Sequence, residues 1–420
     1  MEARYRSTLW ACCFANFFQA VGSCFAILYV PLRGLYGLSF TDFGILVSLN
    51  FITQVASDVL FSKPVEKYGF RPFAVAAPLV SAAGLGLFAA APLLFPRRPF
   101  AGFCAGMFLF AAAGGLQELL LSPILDALPI PEERKARSMS MLHSFFAWGQ
   151  IFVVLATTGL LAVWGAARWQ WIVLLWAAPP VAGAALFCRV PLARKNGGAP
   201  PLPLRALARK GVFYALLAAI VLGGAAEVTM AQWASAFLEK GLRLPKLAGD
   251  VWGVCFFSLM LALGRSGYAA LGARVPLHRL LIGGSGAAAV LYVVCALAQS
   301  PLLGVLACGL TGLCVSLLWP GAIILASRRI PSAGAAMFAL LSAGGDVGAS
   351  LGAFCVGRAA DWAQASGTVF AGAAGESGAL RAGLLLAAVF PLLCCGVHTA
   401  LHCTEARGGL PAGSERRHRQ

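Results

Sequence analysis

The sequence predicts an all-α membrane protein, with twelve transmembrane helices arranged as two six-helix, pseudo-symmetric bundles. Three observations carry this reading. The 420 residues are 60% hydrophobic and only 11% charged, where a soluble domain carries about 25% charged residues, and the mean hydropathy is +0.81. The apolar residues gather in runs long enough to cross a bilayer core at about 1.5 Å per residue. The longest polar interruption falls at the middle of the chain.

Twelve apolar runs lie at roughly 8–30, 42–61, 73–95, 100–124, 139–165, 170–189, 212–238, 250–272, 280–299, 303–326, 335–362 and 382–402. The first reads as a span and not as a cleaved leader, because its apolar run is too long for an h-region. With the N-terminus inside, 22 basic residues fall in the inner connections and eight in the outer ones, while Arg265 and Arg358 lie within spans. That asymmetry predicts a multi-pass protein of the plasma (cytoplasmic) membrane with both termini in the cytoplasm. The net charge of +16, from 32 basic and 16 acidic residues, is spread over short loops and not gathered on one face. Nucleic acid is therefore not an expected partner. The stretch after the sixth run, PLARKNGGAPPLPLRALARKG, is basic, rich in proline and glycine, and without apolar period, so it reads as a linker. The predicted layout is an N-terminal bundle at 1–189, a linker at 190–211, a C-terminal bundle at 212–403 and a basic tail at 404–420.

Thirteen cysteines give no disulfide framework and no CxxC pair. Twelve lie inside apolar runs and Cys403 ends the last one, so they act as small hydrophobes. His398 and His402 share a helix face at i, i+4 but have no acid beside them. No metal and no cofactor are expected. The chain holds no GxSxG, HExxH or P-loop pattern, which points away from an enzyme.

The connection after the second run reads Ser62-Lys63-Pro64-Val65-Glu66-Lys67-Tyr68-Gly69-Phe70-Arg71. It resembles the signature loop of the major facilitator superfamily, Gly-x-x-x-Asp-Arg-x-Gly-x-Arg, with Ser62 at the first glycine and Glu66 at the aspartate. An acid at a helix end and a glycine for a tight turn are retained. Gly272-Ala273-Arg274-Val275-Pro276-Leu277-His278-Arg279 is a degraded second copy, and in that register Asp58 matches Arg265. Further segments resemble a bacterial branch of the superfamily similar to fucose permease: Leu142-His143-Ser144-Phe145-Phe146-Ala147-Trp148-Gly149-Gln150, Gly224-Ala225-Ala226-Glu227 through Gln232-Trp233-Ala234-Ser235-Ala236-Phe237, and Leu318-Trp319-Pro320-Gly321. The resemblance spans nearly the whole chain. It implies a monomeric alternating-access carrier with its site between the halves, and it leaves the solute open.

An ionised side chain at the bilayer centre costs roughly 2.5–3.5 kcal/mol, so the intramembrane charges are the first functional candidates. Glu118 stands five residues before Pro123, a spacing that in symporters similar to fucose permease marks the proton-coupling carboxylate. The alternative is a carboxylate that packs helices. Those symporters also carry an aspartate late in the first span, where this chain has Ala26, which leaves coupling open. Glu227, Gln232 and Trp233 suit a polyol, the ring covering an apolar sugar face and the polar groups bonding hydroxyls. The alternative for Trp233 is an outward-facing ring. Asp346 lies in a stripe with Ser342 and Ser350, and Asp58 in another with Asn50 and Gln54. The resemblance implies that these two spans face one another, so Asp58 and Asp346 are gate or cavity residues, or else interhelical hydrogen-bonding groups. Glu66, Arg71 and Arg265 are further gating or inter-bundle candidates; for Asp58 and Arg265 the alternative is that each only staples neighbouring helices near the cytoplasmic rim.

Asn16 and Gln19 share a face of the first span and, by the resemblance, line the cavity. Gln150 is a weaker candidate of the same kind, and His143 reads more readily as a surface histidine than as a proton shuttle. Trp319 precedes a proline and marks an aromatic-lined kink or ordinary packing. The function expected is secondary active transport of a small polar solute, a sugar or sugar-like compound, by alternating access with proton-coupled uptake. The first span-five run lacks the glycine- and proline-rich pattern of drug/proton antiporters, a small argument against efflux by exchange. An efflux carrier for a drug or metabolite, and a transporter-derived membrane sensor, remain as alternatives.

Overall fold

The computed structural model describes residues 2–128, 132–192, 207, 209–271, 276–330 and 334–407. Most of the predicted linker, the degraded loop copy at 272–275 and the tail beyond 407 lie outside the described residues, as do the side chains of Ser62, Glu66 and His143. The expectation for Glu66 therefore has no described side chain to meet.

Among the described residues, twelve helices are long and apolar enough to span a membrane. They are α1 (Tyr5–Tyr36), α2 (Phe40–Phe61), α3 (Phe70–Leu94), α4 (Pro99–Leu125), α5 (Ser144–Trp164), α6 (Ala166–Arg189), α7 (Gly211–Gly241), α8 (Lys246–Tyr268), α9 (Leu277–Leu297), α10 (Pro301–Ala326), α11 (Leu340–Ala365) and α12 (Gly375–Thr404). Each ends where its chemistry changes. The α2 helix starts at a capping box, Ser39 Oγ accepting from Asp42 N–H and the Asp42 carboxylate accepting from Ser39 N–H, so two orphan donors are satisfied. The helix continues past the span to Tyr68 and stops at Gly69, with φ 81° and ψ 174°, a conformation open essentially to glycine alone. The turn glycine of the signature loop thus has the backbone that its sequence position demanded. Two short π-helical segments, Phe237–Gly241 and Asp250–Cys255, flank the α7–α8 connection.

Packing follows a two-fold plan. In the first half α3 lies on α4, α1 on α5 and α6 on α3; in the second half α9 and α8 lie on α10, and α7 on α12. The halves meet along α2–α11 and α5–α8, with a smaller contact between α1 and α7. These seams exchange under the repeat that matches α2 with α8 and α5 with α11. Small residues bring the backbones together, as in membrane helix pairs generally. At Gly115 of α4 an added Cβ would come within 2.6 Å of the Gln54 carbonyl of α2. At Gly149 of α5 it would collide with the Phe17 carbonyl of α1. The apolar core falls into three clusters: one within the first half, one in the first half that takes in Val254 and Cys255 of α8, and one that fills the second half and reaches Tyr29, Phe40 and Phe43 of the first. All thirteen cysteines are free.

Candidate functional site

The two halves are sealed at the end that carries the 37–39, 95–98, 242–245 and 366–374 connections, opposite the termini. Asp361 of α11 accepts from the Phe40 and Thr41 N–H groups at the start of α2, at 3.0 and 2.7 Å. Arg33 bonds Glu376 across the halves at 3.0 Å, and its guanidinium lies 4.1 Å over the Phe40 ring. One step deeper, Ser48 donates to the Ser350 carbonyl at 2.9 Å. Trp233 closes the plug. Its ring is fully buried, meets Phe43 and Tyr29 edge-on at 5.0 and 5.8 Å, and donates to the Ala353 carbonyl. The expectation that Trp233 lines an open cavity is corrected for this conformation: an indole with all its faces packed is a seal.

Below the seal lie three carboxylates from three helices, Asp58, Glu118 and Asp346. Asp58 stands 18 residues after Phe40, Glu118 19 residues after Pro99, and Asp346 19 residues before Ala365. At 1.5 Å per residue Asp58 and Glu118 each lie about 28 Å from the sealed end of their helices, whereas Asp346, one turn beyond the Ser350 that bonds Ser48, lies nearer that end. Asp346 is 5% exposed, whereas Glu118 is exposed.

Glu227 of α7 and Arg265 of α8 form an ion pair at 2.7 Å, and Arg265 Nε donates to the Ser316 carbonyl of α10. Glu227 is largely buried, and its second oxygen has no hydrogen-bond partner. Arg265, a gating or inter-bundle candidate with a helix staple as its alternative, keeps both its bonds within the second half, because a carboxylate on the adjacent helix is nearer than the other half.

Other expected residues are placed differently. Asn16 is 8% exposed and donates to the Leu142 carbonyl at 2.8 Å, so it staples α1 to α5 and does not line the cleft. Gln117 of α4 donates to the Ala15 carbonyl and to Gln19 Oε1 at 2.9 and 3.3 Å, which fixes Gln19 between α1 and α4. Arg71 was expected at the inter-bundle surface. It donates to the carbonyls of Phe187, Cys188 and Val190 at 3.2, 2.7 and 2.9 Å, satisfying the orphan acceptors at the end of α6 within its own half. Trp319 packs its ring over Gly345 and Gly224, filling the space that the glycines of α11 and α7 leave. Gln150 and Gln232 are partly buried and form no bond to one another.

Sequence reading missed Asp250. It is fully buried and accepts from Thr158 Oγ1 of α5 at 2.8 Å, from the Ser235 hydroxyl, and from Lys246 Nζ at 2.5 Å. Lys246 also pairs with Glu239 at 3.7 Å. The i, i+4 spacing of Lys246 and Asp250 was a legible signal. Thr158, 92 residues away, was not.

Twelve membrane-spanning helices in two halves that close on one another at one end define a multi-pass membrane protein of the carrier type. The chain belongs to the Major Facilitator Superfamily, whose model matches residues 9–353. A bacterial homolog of the human lysosomal transporter Spinster, inward-facing and occupied, is similar at TM-score 0.78 and 13% identity, over 97% of this chain and 99% of that one. The nucleoside transporter NupG is similar at TM-score 0.70 and 13% identity, over 94% and 98%. The fucose:proton symporter FucP of E. coli is similar at TM-score 0.62 and 16% identity, over 94% and 99%. At such identities the likeness speaks for the fold. No curated protein sequence matches this chain.

Proposed function

We propose that the protein takes up a small polar solute by alternating access, with protons as the coupling ion. The observation that supports this reading is that Asp58, Glu118 and Asp346, three carboxylates inside the spans, have no cationic partner among the described residues. Carboxyl groups held away from bulk water and open to one side of the membrane at a time can load and release protons as the halves rock. Residues 1–189 and 212–403 are the two rocking bodies, joined by the basic 190–211 linker, in a plasma membrane with the termini in the cytoplasm. Asp361, Arg33 and Asp250 hold the outer gate shut. Glu227, Arg265 and Gln19 border the solute path, and a sugar or sugar-like compound is the first class to try.

Efflux of a drug or metabolite is the second reading. It is favoured by an apolar groove of about 540 Å³ beside α1, α5 and α6, lined by Trp10, Phe14, Phe17, Phe18 and Phe145. Reconstituted proteoliposomes discriminate the two. Accumulation of a labelled pentose, hexose or nucleoside under an inward proton gradient, abolished by a protonophore, supports uptake. Gradient-independent behaviour with every such solute, together with proton-driven extrusion of an apolar dye, contradicts it.

A further inference from the structure

The groove of about 540 Å³ along α1, α5 and α6 is walled by Trp10, Phe14, Phe17 and Phe18 of α1, Phe145 of α5 and Leu186 of α6, with Ser7 and Val190 at one end. The rings hold one another in place. Trp10 meets Phe145 edge-on at 5.9 Å, and Phe14 lies 4.8 Å from Phe18. Every lining residue belongs to the first half, and α6 packs on helices of that half. Trp10 and Leu186 are 48% and 38% exposed, apolar surface that in a membrane meets acyl chains. The groove therefore opens sideways to the bilayer and not into the cleft between the halves.

Its length and its mouth suit one lipid. From Ser7 to Phe18 α1 advances about 16 Å, the share of one leaflet in a hydrocarbon core about 30 Å thick. Arg6 heads the α1 stripe that continues through Trp10 and Phe14 at i+4 and i+8. Arg189 stands at the end of α6, next to the Val190 that lines the groove. The Thr8 hydroxyl donates to the Pro191 carbonyl at 2.6 Å, and each arginine lies two residues before that bond, so both stand at the same end of the groove. Both are exposed, and among the described residues neither has an ion pair or a hydrogen bond. The carbonyls at the end of α6 are already taken by Arg71. No Asp or Glu occurs in residues 5–18 or 178–192. Membrane topology accounts for basic residues on one side, but not for two unpaired guanidiniums at the mouth of an apolar groove one leaflet deep.

We propose that this groove binds an acidic phospholipid of the leaflet that borders the chain termini. One acyl chain lies along Trp10, Phe14 and Phe18, and the phosphate sits between Arg6 and Arg189. A guanidinium offers phosphate two parallel N–H donors, and a basic recess between membrane helices is a headgroup site of the kind that acidic lipids fill. The lipid bridges α1 to α6 and braces the first half. The inference goes beyond the carrier reading and is independent of solute and coupling ion. The same groove supports the efflux reading, and a seated lipid chain takes the space which that reading gives to a drug.

The test uses the full chain, stripped of lipid in detergent and titrated with dioleoyl-phosphatidylglycerol or dioleoyl-phosphatidylcholine, with bound lipid counted by native mass spectrometry. The expected result is one phosphatidylglycerol held at least tenfold more tightly than phosphatidylcholine and not displaced by excess glycerol 3-phosphate. The Arg6→Gln, Arg189→Gln double variant brings that preference below twofold. The Arg97→Gln, Arg98→Gln variant, which alters two exposed arginines at the opposite end, leaves it intact. Each variant is shown to be folded by its thermal melt; if the first double variant fails to fold, Arg6→Gln alone carries the test with a loss of at least threefold. Equal binding of the two lipids overturns the proposal. So does the same loss of preference in both double variants, which reduces the attraction to net charge. Displacement by glycerol 3-phosphate makes the site one for free phosphate and overturns the lipid. A preference that the folded Arg6→Gln, Arg189→Gln variant retains overturns the assignment of the two arginines.

Discussion

The Thr158 hydroxyl of α5 donates a 2.8 Å hydrogen bond to Asp250 Oδ2 at the start of α8, tying one half of the molecule to the other. Both residues are almost wholly buried, at 2% and 0% exposure. Asp250 keeps Ser235 and Lys246 when the halves part, so the bond to Thr158 is the one that opening must break. Thr158→Val removes the donor at constant shape and takes about 1–3 kcal/mol from the closed arrangement, the range for a hydrogen bond to a charged group. Pulsed spin-label distances between the 95–98 and 298–300 connections should show the longer-distance population growing at least fivefold. An unchanged distribution would place the latch elsewhere.

Gly69 connects α2 to α3 with a backbone that a side chain resists. Gly69→Ala should lose about 1–3 kcal/mol of stability, read as a lower melting temperature in detergent. Gly34 stands in a helix with open space around its Cα, so Gly34→Ala should leave the melt unchanged or raise it.

Arg71 separates a structural from a gating role. Its three carbonyl partners all belong to the end of α6, so Arg71→Gln should lower the melting temperature while leaving the affinity for a transported solute within about twofold. A gating residue would instead shift affinity through the balance of open and closed states.

Glu227 and Arg265 should be energetically coupled. The guanidinium is 39% exposed, which screens the pair, so a double-mutant cycle of Glu227→Gln and Arg265→Gln should give about 1 kcal/mol. A coupling near zero would mean that the two side chains part in the membrane.

The span count and the glycine turn were legible because each is written in local chemistry, run length and a motif; the facing of α2 and α11 was implied by the family resemblance and matched by two polar stripes. The roles of single polar residues were less so. Asn16, Gln19 and Arg71 each carry a side chain that a cavity or a backbone carbonyl could satisfy equally, and only the neighbouring helix decides which. Trp233 shows the same limit, since its plug is made with Tyr29 and Phe43 from the other half of the chain. Asp346, Asp58 and Glu118 were visible as candidates, but the level of each depends on how three helices register against one another. Asp250 was hidden because it sat at the edge of an apolar run, where a charge usually meets water.

The central claim is that Glu118 loads the coupling proton in a cleft open to one side at a time. It is tested most directly by comparing two modes of transport in Glu118→Gln proteoliposomes. The account predicts that solute counterflow, which needs no net proton movement, persists at wild-type order, while accumulation driven by a proton gradient is lost. Undiminished gradient-driven accumulation by the variant would contradict it.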